Sequence, residues 1–213
     1  MKYRSVFDII GPIMIGPSSS HTAGAVRIGK VARNLFGRKP AWADIFFYGS
    51  FAETYKGHGT DVAIVGGLLN FDTFDERMKT SLHIAKQEGI RITFHEEEAI
   101  PPHPNTAKFA SAMKRGARAC RHFYWRWKIE IIELNGFELK LSGHHPALLI
   151  MHNDRYGAIA GVANVLAKYA INIGHMEVSR KEKGKQALMT IEVDQNIDDA
   201  IVEQLKRCHI LLT

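Results

Sequence analysis

Cysteine is nearly absent from this chain. Cys120 and Cys208 are all it has, too few for a disulfide framework or for a cysteine-held cluster of about four thiolates. No apolar run approaches the roughly 18 residues of a membrane span, and the N-terminal stretch has no signal-peptide core. The expectation is a cytoplasmic protein that does not enter a membrane. Acidic residues are in deficit, 22 against 28 basic ones. That excess does not point to nucleic acid. Residues 109–127 alone carry Lys114, Arg115, Arg118, Arg121 and Arg126 with no carboxylate, whereas a phosphate-tracking surface needs its charge spread along a face or groove.

What is present fits two small domains, with 213 residues of which 46% are hydrophobic. Ala25, Ile28, Ala32 and Leu35 recur at helical spacing. A short apolar strand follows at residues 45–48, then a turn at Gly57-His58-Gly59. Thr60 is placed to N-cap a helix bearing Val62, Val65 and Leu69, in which Gly66-Gly67 either weaken the helix or let another backbone approach. Thr73 and Glu76 have capping-box spacing before a third helix with Met78, Leu82 and Ala85. Residues 90–94 alternate as a strand, and Asn135-Gly136 between alternating runs predicts a hairpin. Residues 1–143 therefore read as an α+β domain with a mixed sheet. Beyond the linker His144-His145-Pro146, residues 147–213 read as a compact β-α-β-β-α unit.

The densest chemistry lies in Gly16-Pro17-Ser18-Ser19-Ser20-His21-Thr22-Ala23-Gly24. Ser19 or Ser20 is placed to cap the first helix, whose free N–H groups would favour a carboxylate or phosphate. His21 would supply proton transfer there. His58 and His103 share its setting in a loop shaped by Gly or Pro, whereas His83, His95, His122 and His209 read as surface or satisfied side chains. A serine hydrolase is set aside, because no G-x-S-x-G elbow occurs.

These motifs carry a resemblance. Ile10-Gly11-Pro12 and the serine-rich run resemble the opening of the beta chain of bacterial iron–sulfur-dependent L-serine dehydratase. Phe47-Tyr48-Gly49-Ser50-Phe51, Gly57-His58-Gly59-Thr60-Asp61, His103-Pro104-Asn105-Thr106 and Glu133-Leu134-Asn135-Gly136-Phe137 agree with it. The resemblance implies a subunit of a lyase that makes pyruvate and ammonia from L-serine. Its [4Fe-4S] cluster would be held mainly by a partner alpha chain, with no metal ligand here, and it admits a monovalent cation. It implies catalytic roles for His21, His58 and His103, and substrate contacts for Ser18, Ser19, Ser20, Thr22, Asp61, Asn105 and Thr106. The C-terminal unit resembles an ACT domain, a ferredoxin-like module, whose usual last strand is missing because the chain stops at Thr213. There His152, Asn153, Asp154 and Gly157 would bind an amino-acid effector, or else form an ordinary polar strand–helix turn. The competing function is a non-catalytic amino-acid-binding regulatory module.

Residues 109–127 show no coherent period, and Phe123-Tyr124-Trp125-Arg126-Trp127 is foreign to its surroundings. We read this stretch as a slip of reading frame. Lys108-Phe109-Ala110-Ser111-Ala112-Met113-Lys114, encoded AAA TTC GCG TCA GCG ATG AAA, becomes Lys-Ile-Arg-Val-Ser-Asp-Glu when one A is restored, an alternating strand and turn. A second offset is needed further on, and Arg207-Cys208-His209-Ile210 is a third suspect stretch. A gene that truly carried the slips would encode a poorly folding or inactive copy. Sequencing the gene is expected to return those seven codons, and any other codon set removes the reading.

Overall fold

The computed structural model describes residues 19–100, 105–112, 118–126, 128–141, 145–207 and 211–212. They fall into two compact units that divide between Ile129 and Glu130.

In the first unit, a π-helical turn Ser19–Gly24 runs straight into α1 (Ala25–Phe36). Neither Ser19 nor Ser20 caps that helix. Gly24 holds the cap position in helical geometry with no side-chain bond, so the expected loop is a helical turn. The run from Ser18 to Gly24 contains no proline, and Ala23 and Ala25 favour helix strongly enough to carry it past Gly24. β1 (Trp42–Gly49) follows, burying Ala43, Ile45 and Phe47 at every second position.

α2 (Ser50–His58) and α3 (Thr60–Leu68) then stand end to end around Gly59. The helix α2 replaces the turn expected at Gly57 and His58. Its apolar stripe is only Phe51 and Tyr55, too short to register as a period. Gly59, at φ 68°, ends one helix and starts the next, so Thr60 is a first helical residue and not the cap. A 3₁₀ turn (Glu76–Thr80) leads into α4 (Ser81–Gln87). Its cap is Asp75, which accepts from the Arg77 backbone N–H at 3.0 Å, in place of the expected Thr73.

This helical crossover returns the chain beside β1, which makes β2 (Arg91–Glu97) parallel to it. β3 (Asn105–Ala112) runs antiparallel on the other side of β1 and pairs in turn with β4 (Arg118–Arg126). The stretch without a sequence period thus supplies paired strands, because the exposed edge of β1 can template a neighbour through backbone groups alone. The sheet is mixed.

The helical layer is held by contact between backbones. A Cβ on Gly29 of α1 would overlap the carbonyl oxygen of Ile64, and one on Gly67 of α3 would overlap that of Val26. The close approach admitted by Gly66-Gly67 therefore occurs, and both helices bury the faces around it. Ala25, Val26, Ile28 and Ala32 meet an α3 that is buried through Ala63, Ile64, Val65 and Leu68. Each such Ile, Val or Leu contributes roughly 1.5–3 kcal/mol of burial free energy.

From Glu130 on, the second unit holds most of β5 (Lys128–Leu134) and its hairpin partner β6 (Phe137–Leu141), then an antiparallel sheet. Asn135 at φ 53° and Gly136 at φ 79° form the turn that Asn-Gly predicts. On sequence this hairpin belongs to the first domain. Its contacts group it with the second unit: the Lys181 ammonium donates to the Asn135 carbonyl at 2.6 Å and stands 4.7 Å from the Phe137 ring centroid. The Lys140 backbone N–H also donates to the Glu177 carboxylate at 3.3 Å.

β7 (Ala147–Asn153), α5 (Ala158–Lys168), β8 (Ile173–Arg180), β9 (Gln186–Val193) and α6 (Asp199–Arg207) follow as the expected β-α-β-β-α order. Ile150, Val162, Leu166, Met189, Ile191 and Leu205 form the core. The last strand is present, contrary to expectation. β10 (Leu211–Leu212) pairs antiparallel with β7, Leu211 opposite Met151 and Leu212 opposite Ile150. Two residues are too few to show an alternation, which is why the sequence hides it. The full order is β10-β7-β9-β8.

Gly67→Ala should lower stability by about 1–3 kcal/mol through overpacking at the helix crossing. Gly161→Ala on α5, where an added Cβ meets nothing within 4 Å, should gain up to about 1 kcal/mol. Paired urea denaturation curves of the two variants check both signs.

Candidate active site

The C-terminal end of β1 gathers the groups that the sequence singled out. Gly49, at φ 52° and ψ −130°, turns the chain sharply from strand into α2. Only glycine enters this backbone region without strain. It puts Ser50 at the first position of α2, where the Ser50 hydroxyl lies 3.4 Å from His21 Nε2. The geometry is a strand–turn–helix elbow with glycine, not serine, at the bend.

The His21 ring stands edge-on to His58, with centroids 4.7 Å apart at 70°, and edge-on to Phe51 at 5.4 Å and 66°. Two imidazoles from motifs 37 positions apart in sequence thus meet at one place. His58 Nδ1 is buried without a hydrogen-bond partner among the described residues, as is the hydroxyl of the 3%-exposed Thr22. Asn105 pairs across from Gly49, and the buried Thr106 pairs across from Tyr48, so both lie at the same end of β1. Asp61, in the first turn of α3, accepts from the Val62 N–H at 2.8 Å. Ser19 and Ser20 lie on the π-helical turn that carries His21. Ser18 and His103 lie outside the described residues.

Burial, and after it the neighbouring His58 imidazole, pushes the His21 pKa below its ordinary 6.5. At neutral pH the ring is therefore neutral, with one nitrogen able to accept a proton. Burial raises the Asp61 carboxyl, against the opposing Val62 N–H bond. A neutral base, a second imidazole in edge contact with it and the Ser50 hydroxyl form a constellation suited to moving protons on a small polar substrate. An open groove of about 750 Å³ begins at Gly49 and is lined by Glu53, Glu96, Glu97 and Glu98. Ser50 is the residue that sequence reasoning passed over. Its signal is the Gly-Ser pair between an alternating strand and a helix.

A second polar cluster lies in the other unit, at the turn from β7 to α5. His152 is buried, with Nδ1 2.9 Å from the Asn153 carbonyl and Nε2 without a partner among the described residues. The Asp154 carboxylate accepts from the Gly184 N–H at 2.9 Å and from Arg180 at 3.2 Å. Those two bonds, the backbone one foremost, hold its pKa below the usual carboxylate value. Gly157, at φ 82°, starts α5. A cleft of about 710 Å³ runs between them, lined by Arg155, Tyr156, Ile159, Arg180 and Lys183. Tyr156 and Ile159 are exposed despite their size.

The fold and site define a two-unit α+β protein with a histidine-paired polar site in one unit and a ferredoxin-like sheet in the other. Residues 5–88 match the serine dehydratase beta chain family, and residues 147–209 match the ACT domain. The probable L-serine dehydratase beta chain of Bacillus subtilis (strain 168) is 67% identical over 208 residues, covering 97% of this chain and 94% of that protein. The L-serine dehydratase beta chain of Peptoniphilus asaccharolyticus is 32% identical over 204 residues, covering 94% and 92%. L-serine dehydratase 2 of Escherichia coli (strain K12) is 49% identical over 70 residues, 30% of this chain and 15% of that protein. The chain belongs to the serine dehydratase beta-chain family and carries a C-terminal ACT domain.

The lowered His21 pKa has a thermodynamic sign. The unfolded imidazole, with its ordinary pKa near 6.5, takes up protons before the folded one does. Stability is therefore complete above about pH 6.5 and falls as the pH drops toward the folded pKa. A histidine NMR titration should place His21 below 6.5, and His21→Ala should flatten the fall in thermal midpoint between pH 7 and 5. A His21 titrating at or above 6.5 contradicts the burial argument.

Proposed function

We propose that this chain is the beta subunit of an L-serine dehydratase, a carbon–nitrogen lyase that works in the cytoplasm with an alpha chain and yields pyruvate and ammonia. What carries the reading is the meeting of His21 and His58, brought from separate motifs to one point, in a chain of this family. The net reaction needs no oxidant. The serine hydroxyl leaves as water, the Cα proton is taken by a base, and the resulting enamine tautomerises to an imine. Water then hydrolyses the imine, releasing pyruvate and ammonia.

The neutral His21 is suited to take up a proton on its ring, beside the edge-on imidazole of His58. Thr22, Asp61, Asn105 and Thr106 would hold the carboxylate and ammonium of the substrate, together with Ser18, Ser19 and Ser20. His103 would join the acid–base groups.

The residues of this chain do not fit an iron–sulfur cluster of their own. It has two cysteines where a cluster takes about four thiolates, and no group of three potential metal ligands occurs among the described residues. The reading therefore gives the [4Fe-4S] cluster to the alpha chain, and a monovalent cation is an optional addition. At the second cluster, an amino-acid effector would set its carboxylate against Arg180 and Lys183, with His152, Asn153, Asp154 and Gly157 shaping the turn.

Anaerobic reconstitution of the purified chain with its alpha chain tests the reading, with pyruvate formed from L-serine as the readout. The isolated chain is expected to be colourless and inactive. In the complex, His21→Ala should lower turnover by about 10²–10⁴-fold, while His83→Ala, on the exposed side of α4, should leave it near normal. Pyruvate formation that survives His21→Ala undiminished overturns the catalytic assignment. Amino-acid binding with no lyase activity in any reconstitution favours the regulatory module.

A further inference from the structure

We infer that Ser50 is a positioning residue that holds the His21 ring in one orientation through proton uptake and release. The inference builds on the serine dehydratase reading only in its kinetic test. Three neighbours face the His21 ring at known geometry, and they are unlike one another. Phe51 and His58 meet it edge-on, contacts that restrict tilt but do not tell one ring nitrogen from the other. Ser50 approaches a single atom, Nε2, at 3.4 Å. That distance is long for a hydrogen bond, as is common before a substrate closes a site.

A serine hydroxyl is both donor and acceptor. It can donate to Nε2 when that atom bears a lone pair and accept from Nε2–H when it bears a proton. One hydroxyl therefore partners the same nitrogen on both sides of a proton transfer, by rotating its O–H alone. A backbone carbonyl or a carboxylate could serve only the protonated state.

The backbone is built to put the hydroxyl there. Gly49 takes a conformation closed to other residues and delivers Ser50 onto α2 directly opposite the π-helical turn that carries His21. The Ser50 carbonyl accepts from the Thr54 hydroxyl at 2.5 Å, which pins the first turn of α2. The hydroxyl itself is left toward the ring.

The test uses the full chain labelled with nitrogen-15 in its histidines, and Ser50→Ala and Ser50→Thr variants. In the unsubstituted chain the His21 Nε2 signal should report a hydrogen bond both above and below the pKa of the ring. Ser50→Ala should lose that signature in both states, and Ser50→Thr, which keeps the hydroxyl, should restore it. In the two-chain enzyme Ser50→Ala should lower kcat by about 10–100-fold with KM little changed. An identical Nε2 signal in the unsubstituted chain and Ser50→Ala overturns the proposal. So does covalent labelling of Ser50 by a fluorophosphonate, which would make it a nucleophile. If the unsubstituted complex forms no pyruvate, the serine dehydratase reading fails, while the nitrogen-15 spectra still decide the role of Ser50.

Discussion

Two helices can touch backbone to backbone only where neither places a side chain between them, and that condition governs the first unit. Gly29 on α1 faces the Ile64 carbonyl, and Gly67 on α3 faces the Val26 carbonyl. The crossing is reciprocal. Because the π-helical turn with His21 and Thr22 is continuous with α1, and α3 starts one residue past Gly59, it also fixes how far His21 stands from His58. The spacing of the two imidazoles is thus set by the backbone contact between α1 and α3. π-Helical turns recur at functional sites, and here the wider turn faces the site end of β1.

The electrostatics follow from that spacing. Burial, and after it the imidazole of His58 in edge contact, disfavours a proton on His21. The Asp154 carboxylate in the ACT unit behaves in the opposite way, because donors from Gly184 and Arg180 favour its charged form. One cluster suppresses charge and the other holds it. The contrast is the one expected if the proposed proton-transfer and effector-binding roles hold.

Much of this was legible in the residues. The mixed sheet, the Asn135-Gly136 hairpin and the β-α-β-β-α order follow from period and turn chemistry, and His21 and His58 stand out because glycine frames them. The elements that escaped share a cause, in that local signals were too short or pointed the wrong way. Ser19 and Ser20 are good caps by type, yet the π-helical turn that contains them runs on into α1, whose cap position is Gly24. α2 has two apolar positions and two glycines near its end, which reads as a turn until β1 and α3 pack on it. β10 is two residues long. The Ser50 contact arises from a glycine dihedral, and a residue's identity permits such an angle without announcing it.

Gly59 has a mechanical consequence. With no loop between α2 and α3, the two helices are joined by one residue, and α3 is clamped to α1 while α2 is not clamped in that way. Any rearrangement of α2 against the rest must therefore be taken up by the φ and ψ of Gly59 at one end and Gly49 at the other. Such an element behaves as a rod between two ball joints. Phe51 and Tyr55, buried against Phe47, key that rod against rolling, which keeps Ser50 and His58 set together at the ring of His21.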